Sequence, residues 1–324
     1  MKTEVSVLIF GAALILCLLS TPLLAQMDEM DNTTGMEGMD MPIVSYGAHV
    51  LPQGRWKFKV YWTQMEDDEF RINGSVVHPD MDMRMGRVVN EIYYGLPDDM
   101  HLRLVIPYVN NKMNGTTMNM GMNGKTRGFG DIIAILKKRF YSDMVSGWSF
   151  AAGLGFKLPT GKSEEKFSDR NKMTQNFYDD YRLPINMQPG TGKFDPVLTS
   201  YFTKSDSKGS WHGHLMYINT LEADKGVDPG DKLMFHLARN FPLTDHVILV
   251  GEINGMWQGD DDYQERNIPS GLDRHGTIIN LTPGLQFKPT DNSMLEAAVK
   301  FPVVTPDDGM IPKPMPFIGG HIRF

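Results

Sequence analysis

The eight residues RWKFKVYW, Arg55 to Trp62, put Trp56, Phe58, Val60 and Trp62 on one side of an extended chain and Arg55, Lys57, Lys59 and Tyr61 on the other. Successive side chains of a strand point to opposite faces, so such a segment is apolar on one face and polar on the other. The pattern recurs. HLRLVIPY sets Leu102, Leu104, Ile106 and Tyr108 against His101 and Arg103. WSFAAGLGFKL sets Trp148, Phe150, Ala152, Leu154, Phe156 and Leu158 against Ser149, small residues and Lys157, and MLEAAVKFPV sets Leu295, Ala297, Val299, Phe301 and Val303 against Glu296 and Lys300.

This periodicity predicts twelve strands, near 54–63, 87–96, 101–109, 129–140, 146–158, 194–203, 209–220, 231–240, 246–257, 276–287, 292–303 and 314–324. Every second connection is a tight turn containing Asp: PDDM, YSDM, KSDSKG, PLTD and KPTDN. The others, including 64–86, 110–128 and 159–193, are long and rich in Gly, Asp, Asn and Met. A soluble sandwich shares the alternation within strands but supplies no reason for short and long connections to alternate. An even number of strands of about 10 residues, with short turns on one rim and long loops on the other, predicts an all-β fold. Specifically, it predicts a transmembrane antiparallel up-and-down β-barrel in the outer membrane of a Gram-negative bacterium. Aromatics near strand ends, including Trp56, Trp62, Tyr94, Tyr108, Trp148, Phe202, Trp257, Phe287 and Phe301, suit girdles at the membrane interfaces. The chain stops at FIGGHIRF, an amphipathic strand with terminal Phe324. That ending resembles the signal read by the barrel assembly machinery, an expected partner alongside outer-membrane lipid.

The N-terminus, MKTEVSVLIFGAALILCLLSTPLLAQ, carries Lys2, an apolar run from Val5 to Leu19 and helix-breaking Ser20, Thr21 and Pro22 ahead of Ala25. These are the regions of a secretory signal with cleavage after Ala25, the alternative being a retained membrane anchor. The expected organisation is a signal peptide over 1–25, a Met/Asp-rich disordered periplasmic tail over 26–53 and the barrel over 54–324. Cleavage removes Cys17, the sole cysteine, and with it any disulfide, thiolate nucleophile or thiolate metal site. The leader holds one base and one acid, so the net charge of −7 is unchanged, which argues against nucleic acid as a partner. PTGKS ends like a phosphate loop, but Phe156 stands where the earlier glycine is required. No local signature of a catalytic Ser/His or Asp/His set is present, and the chain is not expected to be an enzyme or to require a cofactor.

On this pattern Arg103, Lys137, Arg139, Lys157, Glu252, Glu296 and Lys300 are expected to face the lumen and tune selectivity. Asp131 and Asp195 each open a strand at the long-loop rim just after glycines. They suit either a charged ring at the mouth or caps on loop backbone. RGFGDIIAILKKRF, SFAAGLGFKLPTGK and PGTGKFDPVLTSYF, within about 125–324, are similar to the family of MetA-pathway of phenol degradation proteins, also called transporters. The G-x-G-D, L-P-T-G and G-x-G-x-x-D elements carry that resemblance. It implies an outer-membrane barrel that passes small hydrophobic or aromatic solutes.

A second chemistry is written in the methionines, 24 in all. Met27, Met30, Met36, Met39 and Met41 crowd an acidic stretch, and Met81, Met83, Met85, Met118, Met120 and Met122 recur in what read as extracellular loops. Side chains at i and i+2 of an extended chain lie about 7 Å apart, within reach of one soft ion, and thioethers suit Cu(I). His212, His214 and Met216 share a strand face beside Met234 and His236 of the next strand, which also suits copper; the plainer reading is lumen histidines bonded to water. The tail resembles the Met-rich leaders of copper-resistance outer-membrane proteins. Copper is therefore the alternative ligand, with sequestration or efflux as the alternative function.

Overall fold

The computed structural model describes residues 41–72, 75–77, 80–117, 120–171, 174, 181–221, 227–263, 276–306 and 309–324. The expected leader, 1–25, and residues 26–40 of the expected tail lie outside them. Twelve strands form one closed antiparallel sheet. They are β1 (Trp56–Asp67), β2 (Met81–Leu96), β3 (Met100–Thr117), β4 (Ile132–Asp143), β5 (Trp148–Leu158), β6 (Asp195–Asp206), β7 (Gly209–Ile218), β8 (Lys232–Pro242), β9 (Val247–Gln258), β10 (Gly276–Thr290), β11 (Ser293–Val304) and β12 (Met315–Arg323). Each pairs with its sequence neighbours, and β1 pairs with both β2 (Trp56 opposite Tyr94) and β12 (Lys57 opposite Arg323). Closure leaves no edge of unpaired backbone, as a lipid-embedded sheet requires.

The tight turns sit on one rim with the start of β1 and the end of β12. In the β2 to β3 turn Asp98 and Asp99 adopt φ of 58° and 54°, the left-handed conformation that short polar residues tolerate best after glycine. Aromatics ring this rim: Trp56 lies 4.5 Å from Tyr94, Phe58 5.9 Å from Phe324 and Trp148 6.0 Å from Phe202, centroid to centroid. At the other rim Tyr108 meets Phe129 at 5.3 Å and Phe156 meets Phe194 at 4.7 Å. Between them the outer face carries Leu154, Leu198, Leu215, Leu249, Leu285 and Ile318, all exposed to the surroundings of the barrel.

Two segments expected as loops are corrected. Most of 64–86 and 110–128 is strand, because β1 runs on to Asp67, β2 begins at Met81, β3 continues to Thr117 and Gly124–Phe129 pairs with β3. In MDMRM the alternation that suggested a soft-ion site is strand alternation, with Met83 and Met85 buried and Asp82 and Arg84 exposed. The expectation of a free tail reaching residue 53 also changes. From Met41 onward the chain is packed inside the barrel, where Met41, Ile43, Ser45, Ala48, Val50 and Leu51 are buried.

The outer face makes a direct prediction. Leu154→Arg, near the middle of β5, places a charge in the bilayer core and should destabilise the barrel by about 2–4 kcal/mol, whereas Leu154→Phe should be near neutral. Urea unfolding in lipid vesicles, read by the faster gel migration of the unboiled barrel, measures the difference.

Candidate functional site

Alternation sends the polar half of every strand inward, so charged side chains accumulate in the lumen and many of them are buried there. Residues 41–52, MPIVSYGAHVLP, supply what those charges need. Glu252 on β9 accepts three consecutive backbone N–H groups, from Ile43 at 2.7 Å, Val44 at 2.9 Å and Ser45 at 2.9 Å, and also the Ser45 hydroxyl at 2.9 Å. On β1 the Lys59 ammonium donates to the Ile43 carbonyl at 2.7 Å and pairs with Glu296 of β11 at 2.9 Å. Lys57 donates to the Met41 sulfur at 2.8 Å, and Gln286 of β10 donates to the Met41 carbonyl at 2.7 Å.

Across the lumen the Tyr46 hydroxyl donates to Glu91 of β2 at 2.6 Å and accepts a hydrogen bond from Arg103 of β3. Arg103 pairs with Glu91 at 2.9 Å and lies over the Tyr46 ring at 3.7 Å. Lys137 of β4 donates to two carbonyls, Gly47 at 2.6 Å and His49 at 2.7 Å. Thr203 of β6 accepts the Ala48 N–H at 2.9 Å, and the Nδ1 of His101 on β3 accepts the Leu51 N–H at 3.2 Å.

These contacts trace a re-entrant loop. Met41 sits by Lys57, close to the tight-turn rim, and the Gly54 N–H returns to the Gly95 carbonyl of β2 at the same rim. The tip, Ser45 and Tyr46, reaches Glu252 and Glu91, each five residues inside its strand from that rim. Glycines make room for both limbs. A β-carbon on Gly95 would fall 1.8 Å from the Pro52 carbonyl oxygen, and one on Gly284 would fall 2.4 Å from the Ile43 side chain. Apolar contacts complete the seat, with Ile43 against Val250, Ala298 and Phe317, and Ala48 against Ala151 and Tyr201.

The charged residues expected to line the lumen each have a definite place. Arg103, Lys137 and Glu252 hold the loop, as described, Glu296 pairs with Lys59, and Lys300 faces inward near Glu252. Arg139 lies at the tight-turn rim, bonded to Asp99 at 3.1 Å. Lys157 bridges Asp131, at 3.3 Å, and Asp195. Those two carboxylates also cap loops: Asp131 accepts the Gly161 N–H at 3.0 Å and the Thr191 N–H at 2.9 Å, and Asp195 accepts the Leu221 N–H at 3.1 Å. They therefore act both as charges and as caps on loop backbone.

The histidine row is built as expected, with His214 opposite His236 and Met216 opposite Met234. Its surroundings are aromatic. His214 stacks between His236, at 5.2 Å, and Tyr201, at 4.8 Å, and meets Tyr46 edge-on, while His49 of the loop lies 5.8 Å from His212. Met216 packs with Ile135, Val197 and Ile218. Among the described residues no group of three or more His, Cys, Asp or Glu is arranged to hold a metal ion. Met83 pairs with Met113 across β2 and β3, and Met122 is also buried. Met27, Met30, Met36, Met39 and Met118 lie outside the described residues, as does the Met120 side chain.

The loop itself escapes a sequence reading. PIVSYGAHV contains an apolar stretch with no partner strand in the pattern, and small Ser45, Gly47 and Ala48 fit a segment that must pass close to a wall. Glu252→Ala removes the acceptor of five hydrogen bonds, four of them from the loop, each worth roughly 1.5–3 kcal/mol when one partner is charged. In planar bilayers this variant should open to a larger conductance far more often than the parent, with barrel stability in the unboiled gel assay retained.

The fold and site can now be set beside known proteins. The solved COG4313 outer membrane channel from Pseudomonas putida F1 superimposes with a TM-score of 0.62 at 13% identity, covering 86% of this chain and 98% of that one. The translocator domain of the autotransporter NalP from Neisseria meningitidis (TM-score 0.46, 12% identity, 85% and 90% covered) and the toluene transporter TbuX from Ralstonia pickettii (TM-score 0.45, 8% identity, 85% and 90% covered) are more distant. No curated protein sequence matches. Residues 82–307 match the family model described as "Putative MetA-pathway of phenol degradation", and the chain belongs to that family.

Proposed function

We propose that the protein is an outer-membrane channel for small hydrophobic or aromatic solutes, closed in this state by the re-entrant segment 41–52. The observation that carries this reading is the loop's course: it enters and leaves by one mouth, held by side chains rather than by strand pairing. A stopper of that kind can withdraw without unthreading the barrel. Short turns mark the periplasmic rim in barrels of this class. Residues 26–40 then join the stopper at the periplasmic side, and the long loops face outward.

The interior supports apolar cargo. On the long-loop side of the stopper the inward residues include Met65, Val105, Ile133, Met234, Met256 and Ile278, all partly accessible. The protein's work on this reading is passage rather than chemistry, and no cofactor is needed for it. Family membership and the shared fold of the Pseudomonas putida F1 channel agree with this reading. The copper alternative has weaker support, since the buried methionines of β2 and β3 alternate with charges as wall residues do.

A Gram-negative host that oxidises benzyl alcohol in its cytoplasm, and is limited by outer-membrane passage, tests the reading. Cells producing this protein should consume the alcohol several-fold faster than cells with an empty vector, and cells producing the chain lacking 42–51 should be faster still. Equal consumption in all three would contradict a solute channel.

A further inference from the structure

Six cations of the wall face the stopper or the space directly above it, Lys57, Lys59, Arg87, Arg103, Lys137 and Lys300, against three carboxylates, Glu91, Glu252 and Glu296. Four of the cations have bonded partners. Lys57, Lys59, Arg103 and Lys137 bond to the stopper, to a carboxylate or to both. Arg87 and Lys300 differ: among the described residues neither makes an ion pair or a side-chain hydrogen bond. Glu252, the carboxylate nearest Lys300 in the electrostatics of the site, has its oxygens occupied by Ile43, Val44 and Ser45 and by the Asn254 amide at 2.9 Å.

Their placement explains why they stay open. Arg87 shares the inward face of β2 with buried Met85, Val89 and Glu91, yet it is itself exposed, so its surroundings are open space inside the barrel rather than lipid. Lys300 is partly accessible on the inward face of β11. The register runs from Arg87 to Thr63, then Phe317, then Ala298, and Lys300 stands two residues beyond Ala298. Arg87 and Lys300 therefore flank one sector of wall, three strand intervals or about 14 Å wide. Between them Tyr61 and Phe317 stack at 4.6 Å with ring planes 22° apart, and Ile43 and Val44 of the stopper pack beneath. Tyr61, partly accessible and backed by buried Phe317, thus stands between the two cations on the long-loop face of the stopper.

Uncompensated charge in a membrane-spanning interior is costly, and residues kept there are normally matched to what passes. Guanidinium offers a planar fork that fits a carboxylate, and an ammonium extended from the opposite side of the sector adds a second donor. We propose that Arg87 and Lys300 form a carboxylate-binding ledge above the stopper, selecting small aromatic monocarboxylates over neutral aromatics. The ledge rests on the channel reading and narrows its cargo: the ring lies against Tyr61, which buried Phe317 backs, while the carboxylate meets the two cations.

Titration calorimetry of the full mature chain in detergent at pH 7.5 tests the ledge with benzoate and benzyl alcohol, which share a ring and differ in charge. Benzoate should bind at least about tenfold more tightly than benzyl alcohol, an advantage that Arg87→Gln with Lys300→Gln abolishes and that Arg87→Lys with Lys300→Arg largely keeps. Unboiled gel migration verifies that each variant is folded. Equal affinity for both compounds in the parent chain would overturn the ledge and leave the apolar channel standing. Binding of neither would overturn the ledge, while the consumption assay with benzyl alcohol would separately decide the channel. Inorganic phosphate or chloride displacing benzoate at equal concentration would show an indiscriminate anion site and overturn the aromatic part of the proposal.

Discussion

No water is available in the bilayer core to satisfy a backbone N–H or carbonyl, and the rest of this molecule follows from that shortage. The wall answers it by closing β1 onto β12, so that each strand has two neighbours. Once the sheet is closed, alternation has only two destinations, lipid and lumen. Leu154, Leu249 and Ile318 go outward, and Lys59, Glu91, Arg103, Lys137, Glu252 and Glu296 go inward. The interior thus inherits a dense set of charges that lie too deep for bulk solvent.

The stopper completes that interior with backbone groups. A segment without strand pairing carries N–H and carbonyl groups that would be costly if buried alone. Here the carboxylate of Glu252 takes the N–H groups of Ile43 to Ser45, while the ammonium groups of Lys59 and Lys137 take carbonyls on either limb. The same bonds that satisfy the wall satisfy the loop, so neither is well formed without the other or without water in its place. This exchangeability suits a gate. Water entering the lumen can replace the loop's bonds one for one, and the barrel ladder is untouched by the exchange.

The strand count, the two rims and the inward charges were legible because period-2 patterning and turn chemistry are local properties of the sequence. RWKFKVYW and the Asp turns carry that information within a few residues each. The same locality left MDMRM ambiguous, since i and i+2 methionines have the spacing of paired ligands and equally of one face of a strand; pairing with β1 and β3 places them on a strand rather than in the expected loop. The stopper was hidden for the opposite reason. Its partners lie up to 245 residues away, as in the Gln286 contact with Met41, and nothing within PIVSYGAHV announces a carboxylate at Glu252. Arg87 was passed over because one cation in a strand carries no signal until its neighbours are seen to be paired and it is not.

The central claim is that residues 41–52 fill the lumen of the folded protein in the membrane. The mature chain lacks cysteine if the leader is cleaved after Ala25, so a single introduced thiol reports its own surroundings. Ser45→Cys places that thiol at the buried tip of the loop and Gln53→Cys places it at an exposed position beside the rim. The rate of labelling by a membrane-impermeant maleimide, admitted to both sides of reconstituted vesicles, is the measurement. Labelling at position 53 should be fast and labelling at position 45 slower by orders of magnitude until the barrel is denatured; equally fast labelling at the two positions would contradict the account.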